Sequence, residues 1–194
     1  MQDFWFYVKL GLEHVLDLNA YDHILFLSAL AIPFTFKSWK QILILATIFT
    51  VAHCTSLAFS VYGIFSINVS LIEFLIPVTI ALTAIFNFSR TFKKENVTGI
   101  YFQSLATAFF GLIHGFGFSN YFNMLMAEEE NKISPLLGFA TGIEFSQIIV
   151  ILLVLALAYL MQSVLKVKQS IFIGVTSILI LIATIPMLIN TFPK

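Results

Sequence analysis

Charged residues are scarce in this sequence. Aspartate, glutamate, lysine and arginine make up 10% of the 194 residues, whereas a soluble domain carries about 25%. The positive and negative charges cancel, so the sequence does not predict nucleic acid as a partner. The single cysteine, Cys54, excludes an internal disulfide. The first residues also lack the basic stretch, apolar stretch and cleavage site of a signal peptide, so none is predicted.

Long apolar runs take the place of charge. Hydrophobic residues make up 59% of the chain, and its mean hydropathy is +0.97. A helix that crosses a bilayer needs about 20 mostly apolar residues, and six segments approach this length. They cover residues 20–36, 41–63, 68–88, 100–120, 136–161 and 169–189. The sequence therefore predicts an all-α integral membrane protein, with one membrane domain over residues 1–194 and six transmembrane helices in a bundle over residues 20–189.

The segment before the first run has a different pattern. From Asp3 to Asp17, apolar residues recur at helical spacing and alternate with charged residues such as Lys9 and Glu13. A helix with one apolar and one charged face lies in the membrane interface. Residues 1–18 are therefore predicted to form a short interfacial helix.

Lysine and arginine cluster in three of the predicted loops. Positive residues in short loops favour the cytoplasmic side of a membrane. These loops follow the first, third and fifth spans, and they contain Lys37, Lys40, Arg90, Lys93, Lys94, Lys166 and Lys168. Six crossings place the three loops on one side. Both termini are then predicted to lie outside, in a multi-pass protein of a bacterial-type inner (plasma) membrane.

Histidines and acidic residues interrupt the apolar sequence. A charged residue at the centre of a spanning helix costs about 2.5–3.5 kcal/mol, so these residues need a role. On the predicted topology they lie in the outer half of the bilayer or just above it. They are His14, Asp22, His23, His53, Glu73, His114 and Glu144. Because imidazole and carboxylate groups together suit zinc, nickel, copper or iron, their shared depth predicts a transition-metal site that faces the outer side.

Other residues lie where they can support these ligands. A short Phe-x-x-x-His repeat ends at His53 and again at His114. Glycines four residues apart surround His114 and precede Glu144, a spacing that predicts close packing of membrane helices. Polar side chains three residues from a ligand share its helix face and can orient it. Three residues have this spacing, namely Thr50, Ser56 and Gln147.

The predicted ligands leave three functions open. A permease would take up a divalent metal ion from the outside. A membrane metalloenzyme of the zinc-hydrolase type would activate water near the outer leaflet, with Glu73 or Glu144 as the base. A metal sensor or chaperone would bind the ion without transport or turnover. Without a metal, Asp22 would cap a helix, and the histidines and glutamates would form hydrogen bonds with neighbouring helices.

Four segments resemble the HupE/UreJ family of small membrane proteins. They are GLEHVLDLNAYDHILFL from Gly11, FTVAHCTSL from Phe49, FGLIHGFGF from Phe110 and GIEFSQ from Gly142. The resemblance implies about six helices and a nickel or cobalt permease. It also implies that His14, Asp22 and His23 correspond to the family's first motif, and that His114 with its flanking glycines corresponds to the second.

The permease is accordingly the leading interpretation. Its predicted partners are the metal ion and the lipid bilayer. The resemblance adds proteins of metalloenzyme maturation as candidate partners, because family members are associated with hydrogenase and urease gene clusters. A homo-oligomer is a further candidate.

Overall fold

Helices dominate the structure. The computed structural model describes residues 2–65, 67–92, 100–127 and 129–193. Within these ranges there are seven α-helices and no strand, so the all-α prediction is confirmed for them. The helices are α1 (Gln2–Leu16), α2 (Asp22–Ala31), α3 (Trp39–Val61), α4 (Val69–Arg90), α5 (Ile100–Met126), α6 (Ile133–Tyr159) and α7 (Gln169–Asn190). Lys93 and Lys94, on which part of the predicted orientation depends, lie outside the described residues.

Four helical stretches among the described residues are long and apolar enough to cross a bilayer. They are Phe36–Val61, Val69–Arg90, Ile133–Val164 and Gln169–Asn190. With its 27 residues, α5 has the necessary length, but its polar residues and glycines lower its hydropathy. The protein is thus a multi-pass membrane protein, while the count of six spans and the positions of the termini remain predictions.

The first predicted span, residues 20–36, does not form one long helix. α2 has ten residues, which at about 1.5 Å per residue is roughly half the ~30 Å hydrocarbon core of a bilayer. Pro33 follows it and lacks the amide hydrogen that a further helical turn would need. α2 is instead a short helix in the middle of the bundle, where Phe26, Leu27 and Ala29 are fully buried.

Glycines let two pairs of helices approach closely. α1 packs along α6, and α3 packs along α5. Gly142 of α6 lies against the Val8 carbonyl of α1, and Gly115 of α5 lies against the His53 carbonyl of α3. A side chain at either glycine would collide with backbone atoms, as the predicted glycine spacing indicates. α1, predicted to lie in the interface, is therefore anchored to α6, and its depth in the membrane remains a prediction.

Apolar side chains cover the outside of α6 and α7. Leu153 and Leu179, for example, are 66% and 60% exposed. A soluble monomer rarely presents an apolar surface of this extent. These faces are therefore suited to contact with lipid.

Candidate metal centre

Four helices bring all four histidines together. His14 lies in the last turn of α1, His23 in the first turn of α2, His53 in the middle of α3 and His114 in α5. His23, His53 and His114 are 2% exposed or less. The ring centre of His23 is 4.5 Å from that of His14, 5.5 Å from that of His53 and 5.2 Å from that of His114. His23 is therefore the centre of the cluster.

The potential ligand atoms form two overlapping groups of three. Nitrogens of His14, His23 and His53 lie within 4.8 Å of one another, and we name this group the His14 triad. Atoms of Asp22, His23 and His114 meet the same condition and form the Asp22 triad. His23 belongs to both triads, so the two positions are joined through one side chain.

Several ring nitrogens of the cluster have no protein partner. Among the described residues, buried nitrogens without a hydrogen bond include His14 Nε2, His23 Nε2, His114 Nδ1 and both nitrogens of His53. A buried polar atom left unsatisfied costs about 1–3 kcal/mol. Nitrogen donors of this kind bind nickel, zinc and related divalent ions. The residues present thus fit a divalent transition metal, which would remove that cost.

The Asp22 carboxylate orients His23. Its Oδ1 atom lies 3.2 Å from His23 Nδ1 and accepts a 2.9 Å hydrogen bond from the His23 backbone amide. A carboxylate on one ring nitrogen fixes the tautomer of a metal-binding histidine. His23 Nδ1 then carries the proton, and the unpartnered Nε2 presents its lone pair to a metal. Asp22 can act in this way whether or not it also binds the ion.

Replacing Asp22 by asparagine tests this orientation. Asp22→Asn should weaken metal binding about 10- to 100-fold, the usual effect of losing a group that orients a metal ligand. Isothermal titration of the purified protein with nickel or zinc would measure the change. Glu73→Gln is the control, because Glu73 is exposed and belongs to neither triad. Equal affinities in the two variants would contradict the assigned role.

Thr79 orients His114 in a similar manner. The Thr79 hydroxyl donates a 2.7 Å hydrogen bond to the Ile76 carbonyl, and its oxygen lies 3.3 Å from His114 Nε2. Because a hydroxyl has one proton, Thr79 accepts from the His114 Nε2–H group. The unpartnered Nδ1 of His114 is left with its lone pair free, as a metal ligand requires.

His14 is the member of the cluster on the N-terminal helix. Burial lowers the pKa of His14 well below its ordinary value, and the neighbouring His23 imidazole lowers it further. His14 is therefore neutral near pH 7. Only the neutral imidazole binds a metal, so this ligand is ready without loss of a proton.

Phenylalanine rings enclose the cluster. The Phe118 ring centre is 4.0 Å from that of His14, and the Phe26 ring centre is 5.2 Å from that of His114. Phe26 also stacks on Phe49, with ring centres 4.9 Å apart. Sequence reasoning missed this aromatic shell. The only signal was that Phe49 and Phe118 lie four residues from His53 and His114, on the same helix faces.

Two cavities adjoin the aromatic shell. One of about 560 Å³ borders His14 and Phe118 and is also lined by Glu13 and Asp17. The other, of about 420 Å³, lies between α2, α4 and α5 and borders Phe26. Its lining is mainly apolar but includes Thr83, Asn87, Gln103 and Thr107. The cluster thus has a cavity near His14 and another near the Phe26 ring that contacts His114.

Comparison with known proteins identifies the family. A family model described as HupE / UreJ protein matches residues 1–190. The chain belongs to the HupE/UreJ family. No curated protein and no solved structure matches it significantly. The resemblance predicted from the motifs is confirmed, and the two histidine motifs of this HupE/UreJ protein meet in one cluster.

The remaining predicted site residues lie elsewhere in this HupE/UreJ protein. Glu73 is exposed on α4, and Glu144 is half-buried between α3 and α6. Neither carboxylate belongs to either triad. The Thr50 hydroxyl donates a 2.6 Å hydrogen bond to Glu144 and lies 3.2 Å from Gln147 Oε1, and neither of these partners is a histidine. Ser56 donates a 2.8 Å hydrogen bond to the His53 carbonyl, so it contacts the backbone of a predicted ligand.

Proposed function

We propose that this HupE/UreJ protein is a permease for a divalent transition metal, nickel or cobalt, in a bacterial-type inner membrane. The observation that carries the proposal is the pair of triads that share His23, with free ring nitrogens buried among apolar helices. Such a site suits an ion that has left water. By the predicted topology, the cluster faces the outer side and the ion enters from there.

The two cavities support transport over storage of the ion. Glu13 and Asp17 are exposed at the cavity beside His14, and carboxylates at an entrance attract cations. On the other side, Thr79, Thr83 and Asn87 are four residues apart and therefore share one face of α4. This face leads from His114 to the cavity beyond Phe26. A permease needs access from both sides of its site, and these features lie on two sides of the cluster.

A zinc hydrolase is the second candidate that the ligands allow. Each triad offers three ligands, the number found in catalytic zinc sites. A hydrolase also needs a base near the metal-bound water. Glu73 is exposed and Glu144 is hydrogen-bonded to two threonines, so neither predicted base is placed beside the ligands. The permease is therefore the better supported function.

Uptake into proteoliposomes tests the permease directly. The purified protein should take up nickel or cobalt, with zinc as a comparison metal. His53→Ala and His114→Ala should each lower the initial rate at least about 10-fold, because each removes one ligand from a triad. Glu73→Gln should leave the rate unchanged, since Glu73 is exposed and outside both triads.

Three results would count against the permease. Equal uptake by the wild type and both histidine variants would exclude the cluster from transport. Tight metal binding without uptake would indicate a sensor or chaperone. Metal-dependent cleavage of an ester or amide substrate, lost in both histidine variants, would indicate the hydrolase.

A further inference from the structure

The Glu144 carboxylate lies between two spanning helices without a positively charged partner. Its Oε1 accepts a 2.6 Å hydrogen bond from Thr47, and its Oε2 accepts a 2.6 Å hydrogen bond from Thr50. The ion pairs among the described residues, Lys9 with Glu13 and Asp22 with His23, do not include it. An ionised carboxylate is unfavourable at membrane depth, so Glu144 has reason to bind a cation.

The hydroxyl of Thr50 offers a way to accommodate a proton on Glu144. Besides Glu144, it lies 3.2 Å from Gln147 Oε1 and 3.3 Å from the Ala46 carbonyl. A hydroxyl donates one proton and can also accept. When Glu144 gains a proton, its O–H group can donate to the Thr50 oxygen. Thr50 then turns its own proton to Ala46 or Gln147. Both protonation states are therefore hydrogen-bonded.

We infer that Glu144 is a proton-binding site whose proton exchange is coupled to metal transport, an inference that rests on the proposed permease function. The step is a simple acid–base equilibrium in which the carboxylate gains one proton from the aqueous phase and later returns it. The groups at this position are hydroxyl groups, an amide and a single carboxylate, so the position has one negative charge. A single proton neutralises that charge, whereas a divalent metal ion would leave a positive charge.

Helix α3 connects this proton site to the metal cluster. Thr50 is three residues from His53, less than one helical turn. A threonine hydroxyl that bonds to the carbonyl four residues earlier tends to bend a helix. Protonation of Glu144 frees the Thr50 hydroxyl to strengthen its bond to Ala46. The resulting change in α3 moves His53 relative to the other ligands of its triad.

A titratable group on α3 interacts with Glu144. The Cys54 thiol lies on α3 and interacts electrostatically with the Glu144 carboxylate. The direct partners of Glu144, Thr47 and Thr50, do not titrate near neutral pH. Cys54→Ser therefore serves as a variant that keeps Glu144 while removing the neighbouring thiol.

Metal uptake under an imposed pH gradient tests the coupling. The gradient should change the initial rate of wild-type uptake at least about five-fold, the lower end of typical coupling between two sites, while the response of Glu144→Gln should stay below about two-fold. Glu144→Gln should still bind the metal as tightly as the wild type. Glu73→Gln, the same chemical change at an exposed position, and Cys54→Ser should keep the gradient response. A wild-type-like response in Glu144→Gln, or a response to a sodium gradient instead, would overturn the proposal.

Infrared difference spectroscopy tests the proton site without transport. Acidification of the metal-free protein should produce a carboxylic acid band. That band should be lost in Glu144→Gln and kept in Glu73→Gln. Its absence from the wild type would refute the proton site. Its presence in a protein that takes up no metal would refute only the permease and the coupling.

Discussion

Replacing His23 by alanine should have the largest effect of any single substitution on metal binding. The change removes a ligand from both triads, because His23 is common to them. We expect the affinity to fall more than about 100-fold, beyond the 10- to 100-fold that follows loss of an orienting group. His14→Ala and His114→Ala each leave the other triad complete. Their affinity should therefore fall about 10-fold each, as measured by competition with a chelator of known affinity.

A double variant distinguishes shared triads from independent ligands. His14→Ala combined with His114→Ala leaves no complete triad, so its loss of affinity should exceed the roughly 100-fold that two independent 10-fold losses would give and should approach that of His23→Ala. Substitutions of interacting residues change the free energy of binding by amounts that do not add, whereas the effects of substitutions at independent sites are additive. Thermal unfolding of each metal-free variant controls for misfolding. The shared site would be refuted if well-folded His23→Ala bound metal as tightly as His14→Ala.

Replacing Gly142 by alanine should have the largest effect on stability. Its new methyl group would collide with the Val8 carbonyl and would lie 2.8 Å from the Leu12 amide nitrogen. Both are backbone atoms of α1 and cannot rotate away. We expect a loss of about 3 kcal/mol in the free energy of unfolding, the upper end for overpacked sites. The separation of α1 from α6 would also move His14, so metal affinity should fall with stability.

Gly174 provides the matched control on another helix. An added methyl group there would come no closer than 3.8 Å to Thr91 and 4.0 Å to Phe88, which is ordinary contact. Gly174→Ala should therefore be at least as stable as the wild type, because alanine favours a helix over glycine. Denaturant unfolding in detergent would compare the two variants. Equal stability would mean that α1 and α6 tolerate a wider separation than the structure has.

The meeting of histidines from different helices could be predicted from the sequence, but the rotation of each polar residue about its helix axis could not. The apolar runs placed His53 and His114 at similar depths, and the structure brings both into one cluster. Glu73 has a comparable predicted depth, yet Ile72 and Ile76 turn toward the core of the bundle. The residue next to Ile72 points about 100° away, so Glu73 is exposed. Packing of α4 against its neighbours decides this direction.

Contacts between distant segments likewise could not be predicted from a single sequence. The hydropathy pattern does not separate α2 from the turn that follows it, so both fell within one predicted span. Pro33 was the residue that marked the end of the helix. The position of Phe118 over His14 depends on how α1 and α5 pack together. No local pattern near His14 encodes that contact. The glycine spacing, by contrast, was a local signal for close packing, because small residues are needed wherever two backbones meet.

The shared His23 has a kinetic consequence. A carrier that holds its cargo tightly enough to select it usually lets it go slowly, since affinity differences appear mostly as differences in the rate of release. An ion that moves from the His14 triad to the Asp22 triad passes between two positions that have the His23 side chain in common. At an isolated site, binding that is tight enough to select the ion also slows its release. Two sites that share a side chain can combine selective binding with faster transport.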